Sequence, residues 1–167
     1  MKNINTNITE FDSLDEKYIF DWLKELQDKG VITNLKRAST VEVIPDLYFD
    51  KEKEYSRIVY TPDFEFTTKN DFLEGLFKKT ATQKSFLIDV KSKTTFKKNN
   101  NSDLTFPIKA RLMYMKGLYV NKVNFIDLFY STFVPKTQYN FFRNTKNKIY
   151  KSLNNCIDVQ TYLDNNL

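Results

Sequence analysis

The first helical period in the chain runs from Leu14 to Lys29. Leu14, Tyr18, Trp22 and Leu26 recur at a spacing of four, and Ile19 and Leu23 widen them into an apolar face. Ser13 supplies an N-cap and Gly30 a stop, so the pattern predicts a helix over 14–29. The period then changes to two. Residues 39–44 (STVEVI) alternate as a strand that ends at Pro45-Asp46, and KEKEYS reads as a charged loop. Residues 57–66 (RIVYTPDFEF) predict one further strand. Ile58, Tyr60, Pro62, Phe64 and Phe66 share one face, and Arg57, Val59, Thr61, Asp63 and Glu65 the other. Pro62 implies an edge position or an irregularity.

Residues 67–84 form a polar connection with room for a short helix around DFLEGLFKK. A strand over 86–91 follows, with Phe86, Ile88 and Val90 on one face and Leu87, Asp89 and Lys91 on the other. After a basic, Asn-rich loop (93–103), Ile108, Leu112 and Met115 fall at helical spacing. LYVNKVNFIDLFY returns as a strand, and TQYNFFRNTKNKIYKSLNN reads as a last basic, aromatic-rich helix. The order predicts an α/β fold, a mixed central sheet flanked by helices. Residues 1–10 are expected to be a flexible arm, 11–130 the core, and 131–167 a basic helical extension of the same domain.

Composition narrows the chemistry. There is no histidine, which removes imidazole general bases, Ser-His and Cys-His triads and His-ligated zinc. The lone Cys156 excludes an internal disulfide, and three glycines leave no phosphate-cradling loop and no nucleotide cofactor site. No apolar run is long enough to cross a membrane and no secretory leader is recognisable, so a cytoplasmic protein is expected. Charge is divided along the chain. Residues 1–90 carry 13 Lys and Arg against 17 Asp and Glu, a net of −4, whereas residues 91–151 carry 13 against 2, a net of +11. Codon bias can supply lysines but does not remove acids from one segment. A polyanion, most simply nucleic acid, is the expected partner.

One stretch conflicts with its own pattern. FLIDVKSK places Asp89 and Lys91 on one face of an otherwise apolar strand, where each is costly to bury unless it is paired or bound. Asp63 lies on the polar face of the preceding strand. Two carboxylates converging at a sheet edge suit a hard divalent cation such as Mg²⁺, with Mn²⁺ as a substitute. The Val90 carbonyl is a further candidate ligand, and Lys91 a candidate to orient water or stabilise charge on a phosphate. An Asp89–Lys91 salt bridge is the plainer alternative. Pro45-Asp46 repeats the Pro-Asp pair, but turn chemistry accounts for it. Glu65 faces the same way as Asp63 and reads as a solvated edge residue or a second-metal ligand.

TPDF followed by IDVKSK resembles the PD-(D/E)XK signature of metal-dependent nucleases. With FDSLDEKYIFDWLKELQDKGVI ahead of it, the chain is similar to small phage-encoded Holliday-junction-resolvase-like endonucleases over about residues 11–125. The resemblance implies a restriction-endonuclease-like αβββαβ core with Asp63, Asp89 and Lys91 catalytic. Glu16, three residues after Ser13, is a capping-box residue on local grounds. The resemblance makes it the helix-borne acid of the metal site, with Asp15 as its rival. Asp89 departs from the more common Glu without removing a charge.

Lys93, Lys97 and Lys98 flank the site, Lys109, Arg111 and Lys116 follow on the next helix, and Arg143, Lys146, Lys148 and Lys151 lie in the tail. All are candidates for phosphate contacts, which position a substrate without reading its sequence. The expected function is a Mg²⁺-dependent endonuclease on branched DNA in phage recombination, acting as a homodimer in the host cytoplasm. The junction preference comes from the resemblance alone. The alternatives are an endonuclease on linear duplex, flaps or ends, and a DNA-binding protein that keeps the fold without the chemistry.

Overall fold

The computed structural model describes residues 11–68, 73, 76–78, 85–91, 105–125, 128 and 158–166. The first helix, α1 (Leu14–Asp28), begins where Ser13 accepts a hydrogen bond from the Glu16 N–H at 3.2 Å. It ends as Gly30 takes φ +73° and the Gly30 and Val31 N–H groups donate back to the Gln27 and Leu26 carbonyls. Ile19, Trp22, Leu23 and Leu26 are buried as the stripe predicts, but Leu14 is 58% exposed. The inward face therefore starts one turn later than the spacing implies.

Among the described residues eight strands follow: β1 (Ile32–Arg37), β2 (Val41–Ile44), β3 (Leu47–Phe49), β4 (Glu52–Tyr55), β5 (Ile58–Tyr60), β6 (Phe64–Thr68), β7 (Phe86–Val90) and β8 (Val120–Val123). The central sheet has the order β1-β6-β7-β8. Its first two pairings are antiparallel and β7–β8 is parallel, with α2 (Thr105–Met115) in the connection between those two strands. The molecule is thus α/β with a mixed sheet. Five consecutive buried residues in β7 follow from its place: α1 and α3 (Val159–Asn166) pack on one face, α2 on the other. Phe86 and Ile88 join Ile19, Trp22, Phe64 and Phe66 in the first core, while Leu87 meets Val43, Tyr60 and Met113 in the second.

Several elements differ from the sequence pattern. β1 was not anticipated. Its ladder with β6 slips between Thr33 and Lys36, and Asn34 adopts φ +56°, which interrupts the alternation. The predicted strand over 57–66 is two strands in different sheets, because the chain turns at Thr61-Pro62-Asp63. KEKEYS is not a loop: β4 pairs with β3 around Asp50 and Lys51, both at positive φ (+47° and +72°), and this hairpin continues outward from the β2–β5 ribbon. Asp46 fastens it, accepting from the Arg57 N–H and the Lys53 ammonium, so Pro45-Asp46 is structural as expected.

The strand predicted over LYVNKVNFIDLFY stops at Val123, and Leu128 N–H donates to the Asn124 carbonyl in a helical turn. Within the 67–84 connection, Leu73 and Phe77 are buried in the α1-side core, with Phe77 N–H bonded to the Leu73 carbonyl. α3 was also unforeseen. Asp158 caps it through Thr161, and Val159 and Leu163 complete the α1-side core. The arm at 1–10 and the helix expected at 137–155 lie outside the described residues.

Candidate active site

The turn at Thr61-Pro62-Asp63 builds the site. Asp63 N–H donates to the Ile88 carbonyl at 2.9 Å, while the Asp63 carbonyl accepts from Ala38 N–H at 3.3 Å. Its backbone is therefore held between β1 and β7. The β6–β7 ladder ends at the Phe64–Ile88 pair, and Asp63 and Asp89 lie just beyond it, close enough for the Asp89 charge to be felt at Asp63. Like charges held this close repel. Asp63 Oδ2 accepts a hydrogen bond from the Val90 N–H at 2.6 Å, which fixes its orientation.

Burial raises the Asp63 carboxyl, with the Asp89 and Glu16 charges adding to it. The Val90 hydrogen bond and Lys91 oppose the rise, and the net result is a pKa of about 7. The helix acid felt at Asp63 is therefore Glu16, which is 7% exposed. Asp15 is half-buried, and its own carboxyl is pushed up by burial and by Glu16. Glu16 fills the capping role and is buried at the same time. Its N–H donates to Ser13, its carboxylate accepts from Asp12 N–H and Ser13 Oγ at 3.4 Å each, and the side chain still faces inward.

Asp89 is 3% exposed, with Lys91 Nζ 2.6 Å from its Oδ2. The anticipated Asp89–Lys91 salt bridge is present. The ammonium sits directly against that oxygen, which has no other partner among the described residues. An ammonium at that distance is a charge-assisted partner for the buried carboxylate. Lys91 itself is held by backbone bonds: its N–H donates to the Val123 carbonyl, and its carbonyl accepts from Asn124 Nδ2 at 2.9 Å. Its ammonium lies 5.5 Å from the centre of the Phe106 ring.

Sequence reasoning missed Arg37. It closes β1, donates to Glu16 Oε2 at 3.2 Å, and lies 4.8 and 4.9 Å from the ring centres of Phe11 and Phe64. The unrecognised strand hid it: without β1, nothing in LKRAST places a cation beside α1. Glu65, in contrast, is paired with Lys36 at 3.3 Å between β6 and β1; β6 lies inside the sheet and the side chain is only 16% exposed, so it is not the solvated edge residue expected.

The chain matches no family model, no curated protein and no solved structure. The site rests on its own geometry. Among the described residues no three acidic or thiol side chains are gathered tightly enough to hold a metal ion as they stand. The donor chemistry nevertheless fits a hard cation. Asp63 and Asp89 lie close together at a strand end, and a divalent ion with several waters needs only one or two carboxylates. Asp63 and Asp89 would hold it, with Glu16 and the Val90 carbonyl in reserve.

The predicted basic contacts separate. Lys109 lies 5.9 Å from the Tyr60 ring centre, Arg111 lines a cavity against β8, and Lys116 is exposed at the end of α2. Lys93, Lys97, Lys98, Arg143, Lys146, Lys148 and Lys151 lie outside the described residues. No helix among the described residues is long and apolar enough to cross a membrane.

Proposed function

We propose that the chain is a Mg²⁺-dependent DNA endonuclease with a restriction-endonuclease-like core, acting on branched DNA as a homodimer in phage recombination. The observation that supports this most is the closeness of Asp63 and Asp89 at a strand end, with Glu16 behind and Lys91 beside them. A purely structural site has no reason to collect three acids against an apolar core. A protein that only binds DNA gains nothing from an acidic cluster facing phosphate.

A bound divalent cation would supply charge neutralisation at the phosphate and a lowered pKa for attacking water. The chain's own residues prepare for that. Val90 N–H orients Asp63 so that its other oxygen is left for the ligand. Arg37 holds Glu16 in place and offsets part of the negative charge. Lys91, fixed on both backbone sides by β8 and Asn124, would donate a hydrogen bond from its ammonium to an oxygen of the scissile phosphate as its charge grows.

The test is cleavage of a labelled four-way junction and a matched linear duplex with Mg²⁺, Mn²⁺ or EDTA. Metal-dependent cutting confined to the junction is expected. Cutting of both substrates alike would keep the nuclease and remove the junction preference, and cutting of neither with any metal would overturn the proposal.

A further inference from the structure

A second feature lies on the α2 face of the sheet, one side chain away from Asp89. A cavity of about 850 Å³ opens between α2 and β8. Its described lining contains Lys78, Arg111 and Lys122 but no Asp or Glu, together with the rings of Phe106, Tyr114 and Tyr119. Cations and rings are interleaved. Lys78 Nζ lies 5.1 Å from the centre of the Tyr119 ring, Lys122 Nζ lies 5.2 Å from that of Phe106, and Tyr114 meets Tyr119 edge-on at 6.4 Å. Tyr114 is 68% exposed.

From this we infer that the cavity binds a short run of unpaired DNA, continuous with the acidic site. The inference rests on the proposed nuclease reading and narrows its substrate to DNA with a single-stranded flank at the cut. Three arguments converge. The lining is positive and free of carboxylates among the described residues, which selects a polyanion. The rings offer faces on which bases stack irrespective of sequence, the combination that single-strand grooves use. The cavity has the size of a small-ligand site, suited to individual nucleotides and not to the surface of a duplex.

Phe106 connects the two regions. Its ring carries Lys91 at 5.5 Å and Lys122 at 5.2 Å, and Lys122 is the β8 partner of Asp89 in the parallel ladder. A strand whose phosphate reaches Asp89 and Lys91 therefore meets Lys122 next and then the tyrosines. In the free protein the lysines rest on the rings. Phosphates would draw the ammonium groups outward and open the ring faces to bases.

The experiment measures fluorescence anisotropy in EDTA, so that nothing is cut, with labelled oligo(dT) and a blunt duplex of equal length. Wild type is compared with Tyr114→Ala and Arg111→Glu, both at exposed positions. Wild type should bind the single strand at least tenfold more tightly than the duplex. Tyr114→Ala should weaken single-strand binding at least about fivefold, the loss of one stacking platform, and leave duplex binding unchanged. Arg111→Glu should weaken it further and flatten its salt dependence. Equal affinity for the two DNAs would overturn the inference, as would unchanged single-strand binding in both variants. Metal-dependent cleavage is scored separately. Cleavage without single-strand preference removes the groove alone, whereas single-strand preference without cleavage under any metal removes the nuclease reading.

Discussion

The Val90 N–H donates to Asp63 Oδ2 at 2.6 Å, which ties the carboxylate of a turn to the backbone of the central strand. The two acids of the site are thus held in register by the sheet itself. Asp63 cannot leave Asp89 without breaking this bond and its own N–H bond to Ile88.

Stability should depend on pH through Asp63. Its carboxyl titrates near 7 in the folded chain, against an ordinary value of 3.8, so the folded state prefers the neutral form. The stability this contributes is complete below pH about 4 and is lost as pH rises through 7, on the order of 4 kcal/mol at most. Asp63→Asn keeps an oxygen for the Val90 N–H and removes the charge. It should raise the Tm at pH 8, flatten the Tm between pH 5 and 8, and abolish cleavage. Thermal melts across that range check it.

Added metal should act in the opposite sense. A divalent cation binds the ionised carboxylates, so Mg²⁺ or Mn²⁺ should raise the Tm more at pH 8 than at pH 5.5. EDTA should reverse the gain. Asp89→Asn should lose most of the metal-induced shift.

Arg37 is expected to matter more than a surface cation does. Arg37→Ala leaves the buried Glu16 carboxylate beside Asp63 without its partner and takes a planar group from between Phe11 and Phe64. A loss of about 2 kcal/mol in denaturant unfolding is expected. Arg37→Lys should recover only part, since an ammonium lacks the stacking face.

How far the sequence revealed the molecule depended on whether a local rule or a distant contact set each element. α1 and β7 were legible, because a cap, a glycine stop and a run of apolar residues are local signals. Asp89 and Lys91 were singled out through the cost of charge in such a run, and Asp63 through the polar face of the preceding strand and its Pro-Asp pair. β1 was hidden by the bulge at Asn34, and Arg37 with it. The break at residues 61–63 was hinted at by Pro62, but two strands in different sheets cannot be told from one strand by alternation. α3 escaped because it is only eight residues long, and Val159, Tyr162 and Leu163 make a single turn of apolar spacing, too short for a period to register.

The docking of α3 gives a structural check. Leu163 is buried against the α1-side core, and Lys29 Nζ bonds Gln160 Oε1 at 2.6 Å. Leu163→Ala should cost about 2–3 kcal/mol in chemical denaturation. Gln160→Ala, at an exposed position, should cost less than about 0.5 kcal/mol.

The central claim is that Asp63 and Asp89 together form a metal-dependent hydrolytic site. The direct measurement is the single-turnover cleavage rate of one branched DNA in Mn²⁺, for wild type, Asp63→Asn, Asp89→Asn and the Pro-Asp control Asp46→Asn. Wild type and Asp46→Asn should cut at similar rates, and the other two at least about a hundredfold more slowly. EDTA should stop all cutting. Wild-type rates in Asp63→Asn or Asp89→Asn, or cutting that survives EDTA, would contradict the account.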